Sequence, residues 1–117
     1  MTWTVQIADE FEPEFAACQN VQDEIVALRR LLVQFGPALR RPHCDTLKGS
    51  HYVNMKELRF STADGEWRVA FAFDPERKAI LLVAGDKSGG SERLFYKGLI
   101  RVADERFGAH LKRLKGT

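Results

Sequence analysis

Apolar and polar residues alternate from Trp3 to Ile7 and stop at the acidic pair Asp9 and Glu10, which predicts a short opening strand. A short helix should follow, with Glu12 as its cap, Pro13 at its first position, and Phe11 and Phe15 turned inward. Asn20 stands where a second helix needs a cap. Val21, Ile25, Leu28, Leu32 and Phe35 then recur at spacings of four, three, four and three, the apolar stripe of a helix. Gly36-Pro37 ends that stripe, because proline cannot continue a helix. The two helices read as a hairpin with one apolar side.

From Pro37 to Asn54 no period is sustained, so this stretch reads as a loop, and Arg40, Arg41, His43, Lys48 and His51 give it a basic bias. Met55–Phe60, Glu66–Asp74 and Ala79–Gly85 are three strand candidates. The turn sequences between them, Ala63-Asp64-Gly65 and Asp74 to Lys78, favour an antiparallel meander. Ile80 to Ala84 is apolar throughout, as in a strand covered on both faces. Ser88 or Ser91 can cap a last helix whose broken stripe is Phe95, Leu99, Val102, Leu111 and Leu114, with Gly98 and Gly108 weakening it. The order of strand, two helices, three strands and helix is that of a small α+β domain, with 1–117 as a single unit.

The composition narrows the function classes. The chain has 117 residues, 44% hydrophobic and 29% charged, which suits a soluble globular domain. Its 18 Lys plus Arg against 16 Asp plus Glu leave a net charge of +2, so a polyanionic partner has to be argued from local clustering. With no apolar run long enough for a bilayer and no signal-peptide pattern, a cytoplasmic protein without membrane association is expected. Cys18 and Cys44 read as free thiols. His43, His51 and His110 lack metal-ligand spacing, so no metal or other cofactor is expected, and Gly85 to Gly90 lacks the P-loop ending.

Candidate chemistry centres on the middle strands. Arg68 shares a face with Ala70 and Ala72, small neighbours expected to leave its guanidinium open to a phosphate. On that reading Arg68→Ala should fold normally. Glu57 and Arg59, two apart on the preceding strand, are expected to form a structural pair, and Lys87 follows the apolar strand in a flexible turn.

Leu47-Lys48-Gly49, Lys56-Glu57-Leu58-Arg59, Trp67-Arg68-Val69, then Ile80-Leu81-Leu82-Val83 leading to Asp86-Lys87-Ser88, followed by Phe95-Tyr96 and Ala103, form an ordered set. That set resembles the RelE/ParE superfamily and, within it, the phage Gp49-like, HigB-type toxins of type II toxin-antitoxin systems. The resemblance runs from about Trp3 to Leu114. It implies a RelE-like fold: an N-terminal strand and two-helix hairpin packed on a small antiparallel sheet, followed by a C-terminal helix. It also implies a ribosome-dependent endoribonuclease that cuts mRNA by metal-free attack of the ribose 2′-hydroxyl, held in check by a cognate helix-turn-helix antitoxin.

Carried over by position, the resemblance makes Arg68, Lys87, Tyr96 and His51 the catalytic candidates. Lys48, Arg59, Arg40, Arg41 and Phe95 become the RNA-binding candidates. The chain departs from the family pattern at Asp86-Lys87, where two basic residues are common, and this is expected to place a carboxylate beside the phosphate site. No histidine follows the last strand, which leaves the general acid unassigned. The alternative reading is a non-nuclease on the same fold, either a gyrase inhibitor or an inactive antitoxin-binding partner.

Overall fold

The structure is a computed structural model that describes residues 2–116. The chain runs β1 (Thr4–Ile7), α1 (Glu12–Ala17), α2 (Gln22–Phe35), β2 (Cys44–Thr46), β3 (Met55–Thr62), β4 (Gly65–Phe73), β5 (Lys78–Asp86) and α3 (Glu92–Lys115). The five strands form one sheet in the order β1-β5-β4-β3-β2.

β3, β4 and β5 are the expected antiparallel meander, but the sheet as a whole is mixed. β1 lies parallel to β5, with Val5 opposite Ala79 and Ile7 opposite Leu81. Parallel neighbours require a long crossover, and the helices and meander between them supply it. The second departure is β2, inside the stretch read as a loop. Cys44, Asp45 and Thr46 pair with Leu58, Glu57 and Lys56. Three residues are too few for periodicity to register, and the pairing itself makes the strand.

Proline within the first turn of α1 agrees with the sequence, while the preceding cap position is Phe11, which is buried. α2 begins after Val21, one residue later than an Asn20 cap would place it, and buries Ile25, Leu28 and Leu32. It stops at Gly36, whose φ of +53° suits glycine and where a Cβ would lie 2.3 Å from the Trp3 indole. The Trp3 N–H donates to the Val33 carbonyl at 2.8 Å, which ties the start of the chain to this helix end.

The β4–β5 turn is held by Asp74, whose Oδ1 accepts from the backbone N–H groups of Glu76 and Lys78, both at 2.9 Å. Its Oδ2 lies 2.8 Å from His110 Nε2, an interaction buried under α3. Ser91 caps α3 by accepting from Leu94 N. The buried side of α3 is Leu99, Ala103, Phe107 and His110, a stripe rotated from the expected one. Phe107 packs edge-on against Tyr52, with centroids 5.0 Å apart.

Candidate functional site

Strand register gathers the charged residues. Asp45, Glu57, Ala70 and Val83 stand opposite one another in one row across the sheet, and Arg59, Arg68 and Gly85 form the next. Opposed residues share a face, as do residues two apart on a strand, so Asp45, Glu57, Arg59 and Arg68 converge. α3 covers that face from its N-terminal end. A Cβ on Gly85 would lie 2.9 Å from the Phe95 ring, and Arg68 Nε donates to the Tyr96 hydroxyl at 3.1 Å.

Arg68 is 3% exposed, which corrects the expectation of an open guanidinium. Small neighbours on its own strand left space, and Tyr96 from α3 and Glu57 from β3 occupy it. Nη1 of Arg68 donates to the Trp67 carbonyl at 2.8 Å, and Glu57 Oε1 lies 3.8 Å from its Nε. Glu57 is itself buried, and its Oε2 accepts from Arg59 Nη1 at 3.3 Å. Arg59 Nη1 is 3.8 Å from Asp45 Oδ2, which accepts from Arg41 Nη2 at 2.7 Å and Nε at 3.0 Å. Cations and carboxylates thus alternate from solvent to the sheet.

Two groups in this chain carry chemical potential. Glu57 Oε1 is buried without a hydrogen-bond partner among the described residues, a costly state for a carboxylate oxygen that leaves it an open acceptor. Burial raises the Tyr96 pKa above its ordinary 10.0; the Glu57 carboxylate beside it acts in the same direction, and the Arg68 guanidinium opposes both. Tyr96 is therefore held as a neutral phenol at physiological pH. Arg41, Lys48, Glu57, Arg59, Glu92 and Tyr96 line a cleft of about 480 Å³ above these groups.

Lys87 reaches this cleft through its rim. Its Nζ donates to Glu92 Oε1 at 2.7 Å, and this bond holds the Glu92 carboxyl below its ordinary value, with the Arg68 and Arg59 charges adding to the effect. Asp86 does not stand beside the phosphate site as expected. It is opposite Trp67, in register one residue beyond the Arg68–Gly85 pair, and its Oδ1 accepts from Glu66 N, Ser88 N and Ser88 Oγ. Those bonds hold its pKa low and close the turn.

The other candidates fall into two groups. Lys48, Arg41 and Arg59 line the cleft, and Arg40 lines a neighbouring hollow with Arg41 and Lys56 on the outer side of β2. His51 is elsewhere: its N–H donates to Asp104 Oδ2 at 2.9 Å, eight residues along α3 from Tyr96, which is about 12 Å of helix. The Phe95 ring packs against Gly85, and neither Phe95 nor His51 is among the residues lining the cleft. Sequence reasoning missed Glu57 and Asp45 as site residues. The alternation of Glu57 with Arg59 was visible, but their partners across the sheet, the half-exposed Asp45 and the buried Arg68, were not.

Among the described residues, no set of three His, Cys, Asp or Glu side chains is placed to hold a metal ion, and no helix is long and apolar enough to cross a membrane.

Comparison with known proteins identifies the chain's relatives. The profile of the family described as Phage derived protein Gp49-like (DUF891) matches residues 14–108. The candidate toxin HigB2 of Mycobacterium tuberculosis is 41% identical over 110 residues, an alignment that covers 93% of this chain and 49% of the relative. The chain therefore spans about half the length of that protein. The candidate toxin HigB3 of the same organism is 42% identical over 92 residues, covering 79% of this chain and 78% of the relative. Among solved structures, a mutant of the E. coli toxin RelE in the free state matches with a TM-score of 0.62 at 10% identity, covering 91% of this chain and 98% of that one, and so shares the fold.

Proposed function

The chain belongs to the phage-derived Gp49-like family, and from that premise we propose that it is a toxin that cleaves mRNA on the ribosome without a metal. One observation carries the reading: Glu57, Arg59 and Tyr96 line a cleft with Arg41 and Lys48, and the buried Arg68 guanidinium stands behind that lining, bonded to the Tyr96 hydroxyl and 3.8 Å from Glu57. Such an arrangement suits transfer of a phosphoryl group between two oxygens of RNA.

In the proposed reaction the ribose 2′-oxygen attacks the adjacent phosphorus and the bond to the 5′-oxygen breaks. Glu57, whose Oε1 has a free acceptor site, takes the 2′-hydroxyl proton. Tyr96, kept neutral by its surroundings, gives a proton to the leaving 5′-oxygen. Arg68 donates to Tyr96 and carries the charge that stabilises the extra negative charge of the phosphorane. The products are a 2′,3′-cyclic phosphate and a 5′-hydroxyl, and the proton lost at one oxygen balances the proton gained at the other.

At rest the cleft neutralises itself, because Asp45 occupies Arg41 and Glu92 occupies Lys87. An incoming phosphate competes with those carboxylates for exposed cations, while Arg68 stays fixed beneath. Lys48, Arg40, Arg41 and Arg59 follow the RNA backbone, and Lys87 acts from the rim through Glu92. The ribosomal substrate places the protein in the cytoplasm. Residues 1–117 form one toxin domain, and its partner is a cognate helix-turn-helix antitoxin.

The test is controlled expression without antitoxin and mapping of messenger 5′ ends in wild type, Tyr96→Phe and Glu57→Gln. Both variants keep the shape of the side chain they replace, and each should lower cleavage by about 10²-fold or more. Wild-type cleavage in both variants refutes the assignment. Growth arrest with DNA breaks and intact messenger moves the activity to gyrase.

A further inference from the structure

One side of α3 faces the core, and an adjoining side grips the loop between β2 and β3. Asp104 accepts one bond on each carboxylate oxygen: Ser50 Oγ donates to Oδ1 at 2.5 Å, and the His51 N–H donates to Oδ2 at 2.9 Å. The Ser50 hydroxyl in turn accepts from the Tyr52 N–H at 3.0 Å, so three consecutive loop residues depend on one side chain. Packing on the neighbouring turns of the helix backs these bonds. The Tyr52 ring meets Phe107 edge-on, its hydroxyl lies 3.0 Å from where a Cβ on Gly108 would be, and a Cβ on Gly49 would touch Ile100 at 3.6 Å.

What this latch holds is Lys48. Gly49 has a φ of +97°, a turn that other residues resist, and it lets Lys48 line the cleft while Ser50 faces α3. Lys48 differs from the other cations that line the cleft. Arg41 is paired with Asp45 and Arg59 with Glu57, whereas Lys48 has no carboxylate partner among the described residues. A long side chain without a partner keeps its rotamer freedom, so its placement depends on its backbone. That backbone is tied to the helix that also carries Tyr96.

We propose that Asp104 is a positioning residue: by latching the loop to α3 it presents Lys48 to a phosphate of the RNA. This role rests on the ribonuclease reading for its ligand. An entering phosphate has to displace Asp45 from Arg41 but nothing from Lys48, so the latch sets where the RNA first engages.

The experiment measures binding of 2′-O-methyl hexauridylate, which lacks the attacking hydroxyl, to the full chain by fluorescence anisotropy across a salt series. Lys48→Ala should weaken binding about tenfold and lower the slope of log affinity against log salt by about 0.7, the value for one phosphate contact on a single strand. Asp104→Ala, with Lys48 intact, should weaken binding by about threefold or more, lower the slope in the same direction, and add nothing on the Lys48→Ala background. By charge alone, loss of a carboxylate would strengthen RNA binding, and a purely structural latch would lower the melting temperature without moving the salt slope. Ser50→Ala removes one bond of the latch and should give a smaller change of the same sign, which keeps the test decisive where Asp104→Ala does not fold. Wild-type affinity and slope in the folded latch variants, or a loss in Asp104→Ala that adds in full to that of Lys48→Ala, overturns the proposal while weaker binding by Lys48→Ala leaves the ribonuclease reading standing. Equal binding by wild type and Lys48→Ala removes the phosphate contact itself, and the assigned role of Lys48 in that reading then falls together with the proposal.

Discussion

Arg68 and Glu57 are charged side chains almost wholly removed from water, so deleting Arg68 leaves the buried Glu57 carboxylate with only the half-exposed Arg59 as its charge partner. Arg68→Ala should therefore lower stability by about 3 kcal/mol as well as remove catalysis, and Glu57→Gln in the same chain should restore most of that stability without activity. Urea unfolding of the single and double variants measures this, and equal stability of Arg68→Ala and wild type contradicts it. The strand position of Arg68 was legible in the sequence and its enclosure was not, because its partner Tyr96 is 28 residues away and arrives on another element. Cys44 shows the same dependence on tertiary burial. Desolvation pushes its pKa up to about 11, so at pH 8 it should resist a thiol reagent in the native state while the more exposed Cys18 reacts. One equivalent of fast label in folded protein and two after denaturation is the expected count.

The junction between β5 and the first turns of α3 decides how the site is closed. A methyl at Gly85 would sit 2.9 Å from the Phe95 ring and 3.8 Å from Leu99, so Gly85→Ala should push α3 away and pull Tyr96 from Arg68. The expected cost is about 1 to 3 kcal/mol, with cleavage lost disproportionately. Gly98 is the internal control. A Cβ there meets nothing within 4 Å, so Gly98→Ala should raise stability by up to about 1 kcal/mol through helix propensity. Thermal melts of both variants separate packing from propensity, and destabilisation by Gly98→Ala contradicts this account. Turns and periodicity made α2, the meander and α3 readable. β2 and the parallel seat of β1 were not, since both are fixed by hydrogen bonds to distant strands. The cleft inherits that illegibility, because Asp45 reaches Arg59 only once β2 has paired.

Across the whole molecule, α3 clamps the start of the chain to the meander. Arg113 binds Glu10 through two nitrogens at 3.1 and 3.2 Å, Arg106 binds both Glu14 and the Leu82 carbonyl, and His110 meets Asp74 at the far turn. The hydrogen bond from Arg113 holds the Glu10 carboxyl below its ordinary value of 4.5, and Arg41 does the same for Asp45. A carboxylate with a folded pKa below its unfolded one adds stability that is complete above the unfolded value and disappears as pH falls through the folded value. The clamp should therefore be fully effective at neutral pH and weaken below the ordinary carboxylate range. Arg113→Gln removes the cause of the Glu10 shift without touching the cleft. Because both partners are partly exposed, its cost at pH 7 should be only about 0.5 kcal/mol. The informative quantity is the shape of the pH dependence: urea midpoints of variant and wild type should differ at pH 7 and converge once Glu10 is protonated in both states. A constant offset across that range means that Arg113 stabilises by packing its stem, and the electrostatic account of the clamp then fails.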